Sequence, residues 1–251
     1  MLSNHKRIAI SQPSYLPWIG YFDLIDQVNT FVFLDTVQFE KQSWQQRNRI
    51  KTPTGLQWLT APAQYRGRFG QSIKDVELGD GKVFGKHLRT IELNYRRSPF
   101  FDEFYPPLRE LLDYPPALLC DLNTSIIRWA CSVLRIKKHF ALASELAVTG
   151  TRTDLLAQIC ANQMATEYLS PLGSHVYLLH ERKIIEAKGV RIQFQHYVHP
   201  EYGQLFGGFI PYVCILDLLF NEGPRSLEVI RSGRRKPYTP EEVMEAHATN
   251  V

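Results

Sequence analysis

Residues 10–51 read ISQPSYLPWIGYFDLIDQVNTFVFLDTVQFEKQSWQQRNRIK, and this stretch decides the fold. A short apolar strand, Arg7–Ser11, leads into it, and a continuous apolar run extends from Thr30 to Asp35. Between them a helix is predicted from about Trp18 to Gln27, because apolar residues recur on one of its faces. Strands that are apolar throughout are typical of a parallel sheet covered on both faces, and a strand, a helix and a strand in this order cross over right-handed.

The rest of the chain fits an α/β protein with a Rossmann-like, mostly parallel sheet flanked by helices. Apolar residues recur with helical period from about residue 84 to 135, which predicts a helical segment there. The turn at 52–55 predicts a hairpin between residues 48–51 and 56–61. We therefore expect a single α/β domain over residues 1–230, with the helical segment as a subdomain. Residues 231–251 are expected to be a polar, loosely held C-terminal tail.

Shorter elements are also predicted from their local patterns. A strand is expected at 72–78 and another around Ser144–Leu146. The prolines Pro106 and Pro107 predict a helix that begins just before them, since proline fits the first helical turn. Two short helices are predicted at 176–181 and 183–188.

Composition and charge narrow the class of protein. Of the 251 residues, 44% are hydrophobic and 22% are charged, and the net charge is +4 from 29 basic and 25 acidic residues. This mild excess suits an anionic small molecule such as a nucleotide and is too weak to indicate nucleic acid as a partner. No apolar run reaches the roughly 18 residues of a membrane span, and the first residues lack the apolar stretch of a signal peptide. A cytoplasmic protein is expected, and the oligomeric state stays open.

The first candidate site follows the opening strand. Two prolines stiffen this loop, so its aromatic rings present rigid faces on which a base or a sugar ring can stack, and a glycine near the helix start allows close approach. The alternative is a well-packed corner with the rings in the core. The candidate substrate-binding residues here are Gln12, Tyr15, Trp18, Gly20 and Tyr21.

The second candidate site follows the second strand. Asp35 ends that strand, where a carboxylate suits a metal, a ribose hydroxyl or proton transfer, and it is predicted to be catalytic. Arg47 and Arg49 point the same way in an extended segment, and each guanidinium can grip a phosphate in a fork. A solvated, charged hairpin is the alternative. The candidate substrate-binding residues here are Gln38, Lys41, Trp44, Arg47, Asn48 and Arg49.

Two weaker clusters complete the set. A polar row on a predicted helix contains His87, a candidate acid–base group, beside the candidate binding residues Lys86 and Asn94, although a lone histidine is more often structural. A strand is followed by Ser-Pro-Leu-Gly-Ser and then by a helix, an arrangement that can bind an anion. An ordinary turn between a strand and a helix is the alternative. The candidate binding residues here are Tyr168, Ser170, Gly173 and Ser174.

No metal ligand is predicted. His196 and His199 have a spacing that some metal sites use, but Pro200 follows directly and no carboxylate–histidine pattern accompanies them. A nucleotide and Mg²⁺ are the two cofactors that the sequence leaves open.

Several stretches resemble the WbqC-like protein family over roughly residues 7–223. The most specific are Gln12-Pro-x-Tyr-Leu-Pro-Trp-x-Gly-Tyr-Phe22, Phe31-Val-Phe-Leu-Asp-x-Val-Gln-Phe39 and Arg47-Asn-Arg-Ile-Lys-Thr52. The resemblance implies a bacterial protein associated with the assembly of surface polysaccharides such as O-antigen. It implies a transferase that transfers an acyl or amino-acyl group to a nucleotide-linked sugar.

A second, fold-level likeness leads to an alternative. Trp18-Ile-Gly20-Tyr21 stands where nucleotidyltransferases of the His-x-Gly-His type carry their phosphate-binding signature, but both histidines are absent here. A nucleotidyltransferase-like enzyme that uses a nucleoside triphosphate is therefore the first alternative. A non-catalytic RNA-binding or scaffold protein is the second.

Overall fold

A five-stranded parallel sheet forms the centre of the protein. The computed structural model describes residues 5–248. The strands of the sheet, in chain order, are β1 (Arg7–Ser11), β2 (Thr30–Phe33), β5 (His139–Leu142), β6 (Glu167–Ser170) and β7 (Arg191–Phe194). Ile8 of β1 is paired with Thr30 of β2 on one side and with Tyr168 of β6 on the other. The predicted α/β class and the parallel sheet are both confirmed.

The strand order is β5-β2-β1-β6-β7. Numbered by their order within this sheet, the strands run 3-2-1-4-5, which is the doubly wound arrangement of Rossmann-like folds. The chain leaves β1 toward one edge and later returns to its other side, so the connections that follow β1 and β6 run toward opposite edges of the sheet. Ligands of open α/β sheets bind in the crevice at this point.

The connection between β2 and β5 is unusually long and has its own structure. It contains a separate antiparallel hairpin, β3 (Arg47–Thr52) and β4 (Gly55–Thr60), as the turn residues predict. Three helices follow, which confirms the predicted helical segment: α2 (Lys82–Tyr95), α3 (Phe101–Asp113) and α4 (Leu119–Val133). The remaining helices are α1 (Ile19–Asp26), α5 (Arg152–Asn162), α6 (His175–Glu186), α7 (Ile215–Glu222), α8 (Ser226–Ser232) and α9 (Pro240–Ala248).

Alternate residues of each central strand enter two different cores. Ala9, Phe31 and Phe33 join the larger core, which includes α1–α4 and α7. Ile8 and Val32 face the smaller core against α5 and α6. Burial on both faces explains why these strands are apolar throughout rather than alternating.

Two predicted strands are wrong. Residues 72–78 contain a single 3-10 turn, Ile73–Asp75, which is held by isolated bridges such as Gln38 to Ser72. Ser144 lies in another 3-10 turn, and the strand of this region is β5, just before it. In both places short apolar runs suggested strands, but neither run joins the five-stranded sheet, which ends on this side at β5.

Two predictions about helix bounds are also wrong. The residues expected to form two short helices after Ser174 form one continuous helix, α6. Helix α3 begins at Phe101, so Pro106 and Pro107 lie in its second turn rather than its first. Burial of Phe101 and Phe104 in the core extends this helix beyond the point that proline chemistry alone would set.

The segment after residue 230 is tied to the body of the protein as far as Ala248. Arg231 donates to both carboxylate oxygens of Asp26 at 2.8 and 3.0 Å, and Arg234 donates to Asp23 at 2.8 Å. These contacts do not fit the expected loosely held tail, because a buried carboxylate needs a partner of opposite charge. Residues 249–251 lie outside the described part of the chain. Across residues 5–248, no helix is long and apolar enough to cross a membrane.

Candidate functional site

A cavity of about 270 Å³ brings together residues from the two strongest candidate sites. We call it the aromatic cavity. Five of its lining residues, Trp18, Tyr21, Trp44, Asn48 and Arg49, are among the predicted binding residues. Ser14, Pro17 and Tyr212 complete the lining. The proline-stiffened loop and the arginine strand therefore meet in space, as the sequence predicts.

Backbone hydrogen bonds hold the walls of the aromatic cavity in place. Tyr15 N–H donates to the carbonyl of Trp44 at 2.9 Å, and the Asn48 side chain donates to the carbonyl of Leu16 at 2.7 Å. Cys214 N–H donates to the carbonyl of Arg49 at 2.8 Å. The loop after β1, the start of β3 and the segment before α7 are thus one rigid frame.

Trp18 forms the central wall of the aromatic cavity. Its ring centre lies 5.3 Å from that of Tyr212 and 5.6 Å from that of Tyr197, and His199 stacks on it at 6.0 Å. A β-carbon placed on Gly20 would collide with the six-membered ring of Trp18. Glycine at position 20 therefore makes room for the indole of Trp18, in the place where a ligand was expected to approach.

Two arginines and two tryptophans form a partly exposed layer at the mouth of the cavity. The guanidinium carbon of Arg47 lies 4.3 Å from the ring centre of Trp58, and that of Arg49 lies 5.4 Å from Trp58 and 5.6 Å from Trp44. The two tryptophan rings are 5.6 Å apart. The Nε atoms of both arginines are buried without a hydrogen-bond partner, and within residues 5–248 neither arginine has an ion-pair partner. The guanidinium groups of Arg47 and Arg49 thus lie beside partly exposed aromatic rings without a carboxylate partner among the described residues.

Lys51 is a third cation on the same face of β3, which the sequence analysis missed. Side chains two residues apart along a strand share a face, so Lys51 follows Arg47 and Arg49. Lys51 is only 2% exposed, and its ammonium group donates to the carbonyls of Gly207 and Gly208. The spacing of Arg47, Arg49 and Lys51 was the signal that could have identified it.

Tyr15 and His87 lie together in the core and do not line the cavity. The Tyr15 hydroxyl and Nδ1 of His87 are 3.0 Å apart, and both residues are buried. Burial raises the pKa of the Tyr15 phenol well above its usual value and lowers the pKa of His87 to about 4. At neutral pH His87 is therefore an uncharged imidazole.

Asp35 is also buried, with its carboxylate fully engaged. One oxygen accepts the backbone N–H of Ser144 at 2.9 Å, and the other accepts the Ser144 hydroxyl at 2.5 Å. This pair joins the end of β2 to the turn after β5. The catalytic roles expected for Asp35 and His87 stay predictions, since neither residue reaches the aromatic cavity.

A second cavity, of about 370 Å³, lies beyond the carboxyl ends of β1 and β2. We call it the edge cavity. Its lining consists of Gln12, Leu34, Val37, Arg152, Leu155, Leu156, Tyr177 and Glu181. Gln12 connects the two cavities, because its side chain lines this one while its carbonyl accepts the hydroxyl of Tyr21, which lines the other, at 3.0 Å.

The other predicted binding residues lie outside both cavities. Gln38 and Lys41 line a separate surface cleft with the basic loop 65–71. Lys86 and Asn94 lie on α2, where the Asn94 side chain donates to the backbone of its own helix. Tyr168 and Ser170 are buried, and the Ser170 hydroxyl contacts those of Tyr168 and Ser174. Gly173 is exposed in the turn before α6.

A buried carboxylate that was not predicted lies beneath the segment 203–212. Asp217 is completely buried, and its Oδ1 accepts the hydroxyl of Tyr95 at 2.9 Å. Tyr95 accepts in turn the backbone N–H of Lys51 at 3.1 Å. Burial raises the pKa of Asp217 to about 6, so this group titrates near neutral pH. Within the described chain, no group of three or more His, Cys, Asp or Glu side chains could hold a metal ion.

The doubly wound sheet, with one cavity beyond the carboxyl ends of β1 and β2, defines a Rossmann-like α/β protein. The profile of the WbqC-like protein family matches residues 12–229, and the chain belongs to this family. Uncharacterized protein Rv1507c of Mycobacterium tuberculosis is 38% identical over 233 residues, which cover 92% of this chain and 100% of that relative. No solved structure matches the chain significantly.

Proposed function

We propose that this chain is a transferase that acts on a nucleotide-linked sugar or a related activated metabolite. The transferred group is acyl or amino-acyl, and the product serves the assembly of bacterial surface polysaccharide, as membership of the WbqC-like family suggests. The observation that carries the proposal is the convergence of Trp18 and Arg49, which are distant in sequence, on one cavity.

The chemistry of the aromatic cavity fits one half of such a ligand. None of its lining residues is acidic, while Arg49 contributes a positive charge, so an anionic group is favoured there. Arg47 and Arg49 have no carboxylate partner among the described residues and can each bind phosphate oxygens in a fork. Trp44 and Tyr212 are each 51% exposed and offer flat faces on which a base or a sugar ring can stack.

The cavity is smaller than the proposed ligand, so we infer that parts of the ligand lie outside it. Pockets for small molecules measure about 300–1,000 Å³, and the aromatic cavity is slightly smaller than that. A whole nucleotide-sugar does not fit inside it. The ring in the cavity would be held by Trp18, with the diphosphate on the arginines and the remainder on the exposed layer of Trp44 and Trp58.

The reaction requires little from the protein beyond orientation. The free amine nitrogen of the sugar attacks the carbonyl carbon of an activated acyl donor and forms a C–N bond. The bond from that carbon to the leaving group breaks with its electron pair, and the nitrogen releases its proton to a base or to water. Holding both reactants in a reactive geometry accounts for a large part of the acceleration in such reactions.

A thermal-shift screen tests the proposal. The wild-type chain is melted with a panel of nucleotides and nucleotide-sugars, since a ligand at about 100 times its Kd stabilises by about 2.7 kcal/mol. We expect at least one nucleotide-sugar to raise the melting temperature, and Arg49→Ala to remove this shift. Arg89→Ala, which removes an exposed arginine on α2, is the matched control and should keep it. Unchanged melting curves across the whole panel would contradict the proposal.

A nucleotidyltransferase-like enzyme is the second candidate, and the strand order favours it. Such enzymes place a phosphate group after the first strand, at the start of the following helix, and helix α1 begins there at Ile19. Trp18, however, covers the backbone at Gly20, where the phosphate would lie. This candidate predicts Mg²⁺-dependent release of pyrophosphate from a nucleoside triphosphate, whereas the transferase proposal predicts none.

A further inference from the structure

The edge cavity contains opposite charges that face the same space without pairing. Arg152 and Glu181 both line it. Thr153, the neighbour of Arg152 in the chain, donates its hydroxyl to the carboxylate of Glu181, so the two charged side chains originate close together. Within residues 5–248 neither charge has an ion-pair partner. A cation and an anion that line one cavity without forming an ion pair are arranged to bind a ligand that carries both charges.

Two other polar residues of the lining, Gln12 and Tyr177, each add a hydrogen-bonding group. The Oε1 of Gln12 already accepts the side chain of Gln45 at 2.8 Å, which leaves the amide N–H groups of Gln12 as its free end. These N–H groups, with Arg152, suit a carboxylate. Tyr177 lies one helical turn before Glu181 on α6, and its hydroxyl oxygen can accept a hydrogen bond from an ammonium group.

The rest of the lining is aliphatic. Leu34 and Val37 come from the chain after β2, and Leu155 and Leu156 come from α5. At about 370 Å³ the cavity falls at the small end of the range for small-molecule pockets, about 300–1,000 Å³. It therefore suits a compact ligand with a short apolar side chain.

The backbone at Arg152 supports a built site. Arg152 has a φ of 52°, in the left-handed region, which is unfavourable for a non-glycine residue. Such strain persists only where surrounding contacts hold it, and it is concentrated at ligand-binding sites. The cavity also lies at the carboxyl edge of the sheet, where doubly wound proteins bind their ligands.

We propose that the edge cavity binds an α-amino acid with an aliphatic side chain. Its carboxylate contacts Arg152 and the amide of Gln12, its ammonium group contacts Glu181 and Tyr177, and its side chain packs on the four aliphatic residues. The inference rests on the proposed function in one respect: it makes the amino acid the second compound at a two-part site joined at Gln12. The proposal concerns binding and includes no bond-forming step.

The first experiment compares three ligands on the unmodified full chain by isothermal titration calorimetry. L-leucine has both charges, 4-methylpentanoate lacks the amine and 3-methylbutylamine lacks the carboxylate. We expect L-leucine to bind and each analogue to bind weaker by about tenfold or more, because each leaves one charged side chain unpaired. Equal binding of an analogue, or no binding of L-leucine, L-valine or L-alanine at millimolar concentration, overturns the proposal.

The second experiment uses variants with a matched control. Arg152→Gln and Glu181→Gln should each weaken L-leucine binding by about tenfold or more. Lys183→Gln removes an exposed charge from α6 outside the cavity and should leave it unchanged. Wild-type affinity in both cavity variants would also overturn the proposal. The nucleotide-sugar shift depends on Arg49 rather than on these residues, so the two proposals can fail independently.

Discussion

The hydroxyl of Tyr15 and Nδ1 of His87 are 3.0 Å apart inside the core, although 72 positions separate the two residues in the chain. This pair attaches α2 to the loop that follows β1, whose outer side forms the aromatic cavity. The residue expected to bind substrate and the residue expected to move a proton thus stabilise the wall of the site from behind.

The lowered pKa of His87 predicts an acid-dependent loss of stability. His87 has a pKa of about 4 in the folded state against 6.5 for a free imidazole, so the unfolded chain binds its proton more readily. The contribution of His87 to the free energy of unfolding is therefore complete above pH 6.5. About 3 kcal/mol of it is lost as the pH falls toward 4. Urea unfolding of wild type and His87→Gln between pH 4 and 7 measures this effect. The unfolding free energy of wild type, relative to that of the variant, should decrease as the pH falls. A difference that is constant with pH would exclude it.

Asp217 predicts the opposite dependence. Its pKa of about 6 in the folded state lies above the ordinary 3.8, so the folded state binds the proton more tightly. Stability from this group is complete below pH 3.8 and is lost as the pH rises through 6, by about 3 kcal/mol. Asp217→Asn keeps an oxygen that can accept the hydroxyl of Tyr95 and does not titrate. Relative to wild type, this variant should gain stability between pH 4 and 6.5, as measured by the same urea series. If the variant does not gain stability relative to wild type as the pH rises from 4 to 6.5, the raised pKa of Asp217 is wrong.

Gly20→Ala should damage the aromatic cavity. The new methyl group would overlap the ring of Trp18, which must move away from Tyr212 and Tyr197. Overpacking of this kind costs about 1–3 kcal/mol. Gly85→Ala on α2 is the control, since its added methyl group meets nothing within 4 Å and alanine favours a helix by about 1 kcal/mol. In thermal unfolding, Gly20→Ala should melt below wild type and Gly85→Ala at or above it. An unchanged melting temperature for Gly20→Ala would contradict the described packing of Trp18.

Arg234→Ala should destabilise the fold although it lies near the C-terminus. Asp23 is completely buried and would lose its guanidinium partner, while the side chains of Gln27 and Gln195 would still donate to it. A hydrogen-bonded charge of this kind contributes about 2 kcal/mol. Arg235→Ala removes a neighbouring arginine whose bonds reach only backbone carbonyls, at Ser232 and Arg234, and should be nearly neutral. Equal unfolding free energies for both variants would show that residues 231–248 contribute little.

The fold was predictable because its central strands are apolar on both faces. Such runs identify a covered parallel sheet, and the turn at 52–55 identifies the hairpin. The short elements after residue 70 were less predictable, since a run of a few apolar residues fits a strand, a turn or a buried helix equally well. The neighbours that decide between them, such as those of Ser72, come from distant parts of the chain.

The candidate site was predictable in part. Trp18 and Arg49 could be identified because aromatic and charged residues follow strand ends, and Lys51 could have been added from its spacing. Arg152 gives no local signal, because only the folded chain brings it and Glu181 into the lining of one cavity. Tyr15 faces the core instead of the cavity, since a ring stiffened by prolines can face inward as readily as outward.

The insertion between β2 and β5 has a consequence for how the protein is made. Phe33 pairs with Leu142, and residues between them must be synthesised before this edge of the sheet can close. Contacts between such distant positions slow folding. We expect the hairpin and helices α2–α4 to fold first during synthesis. The outer edge of the apolar strand β2 then stays unpaired, and accessible to chaperones, until β5 has been synthesised.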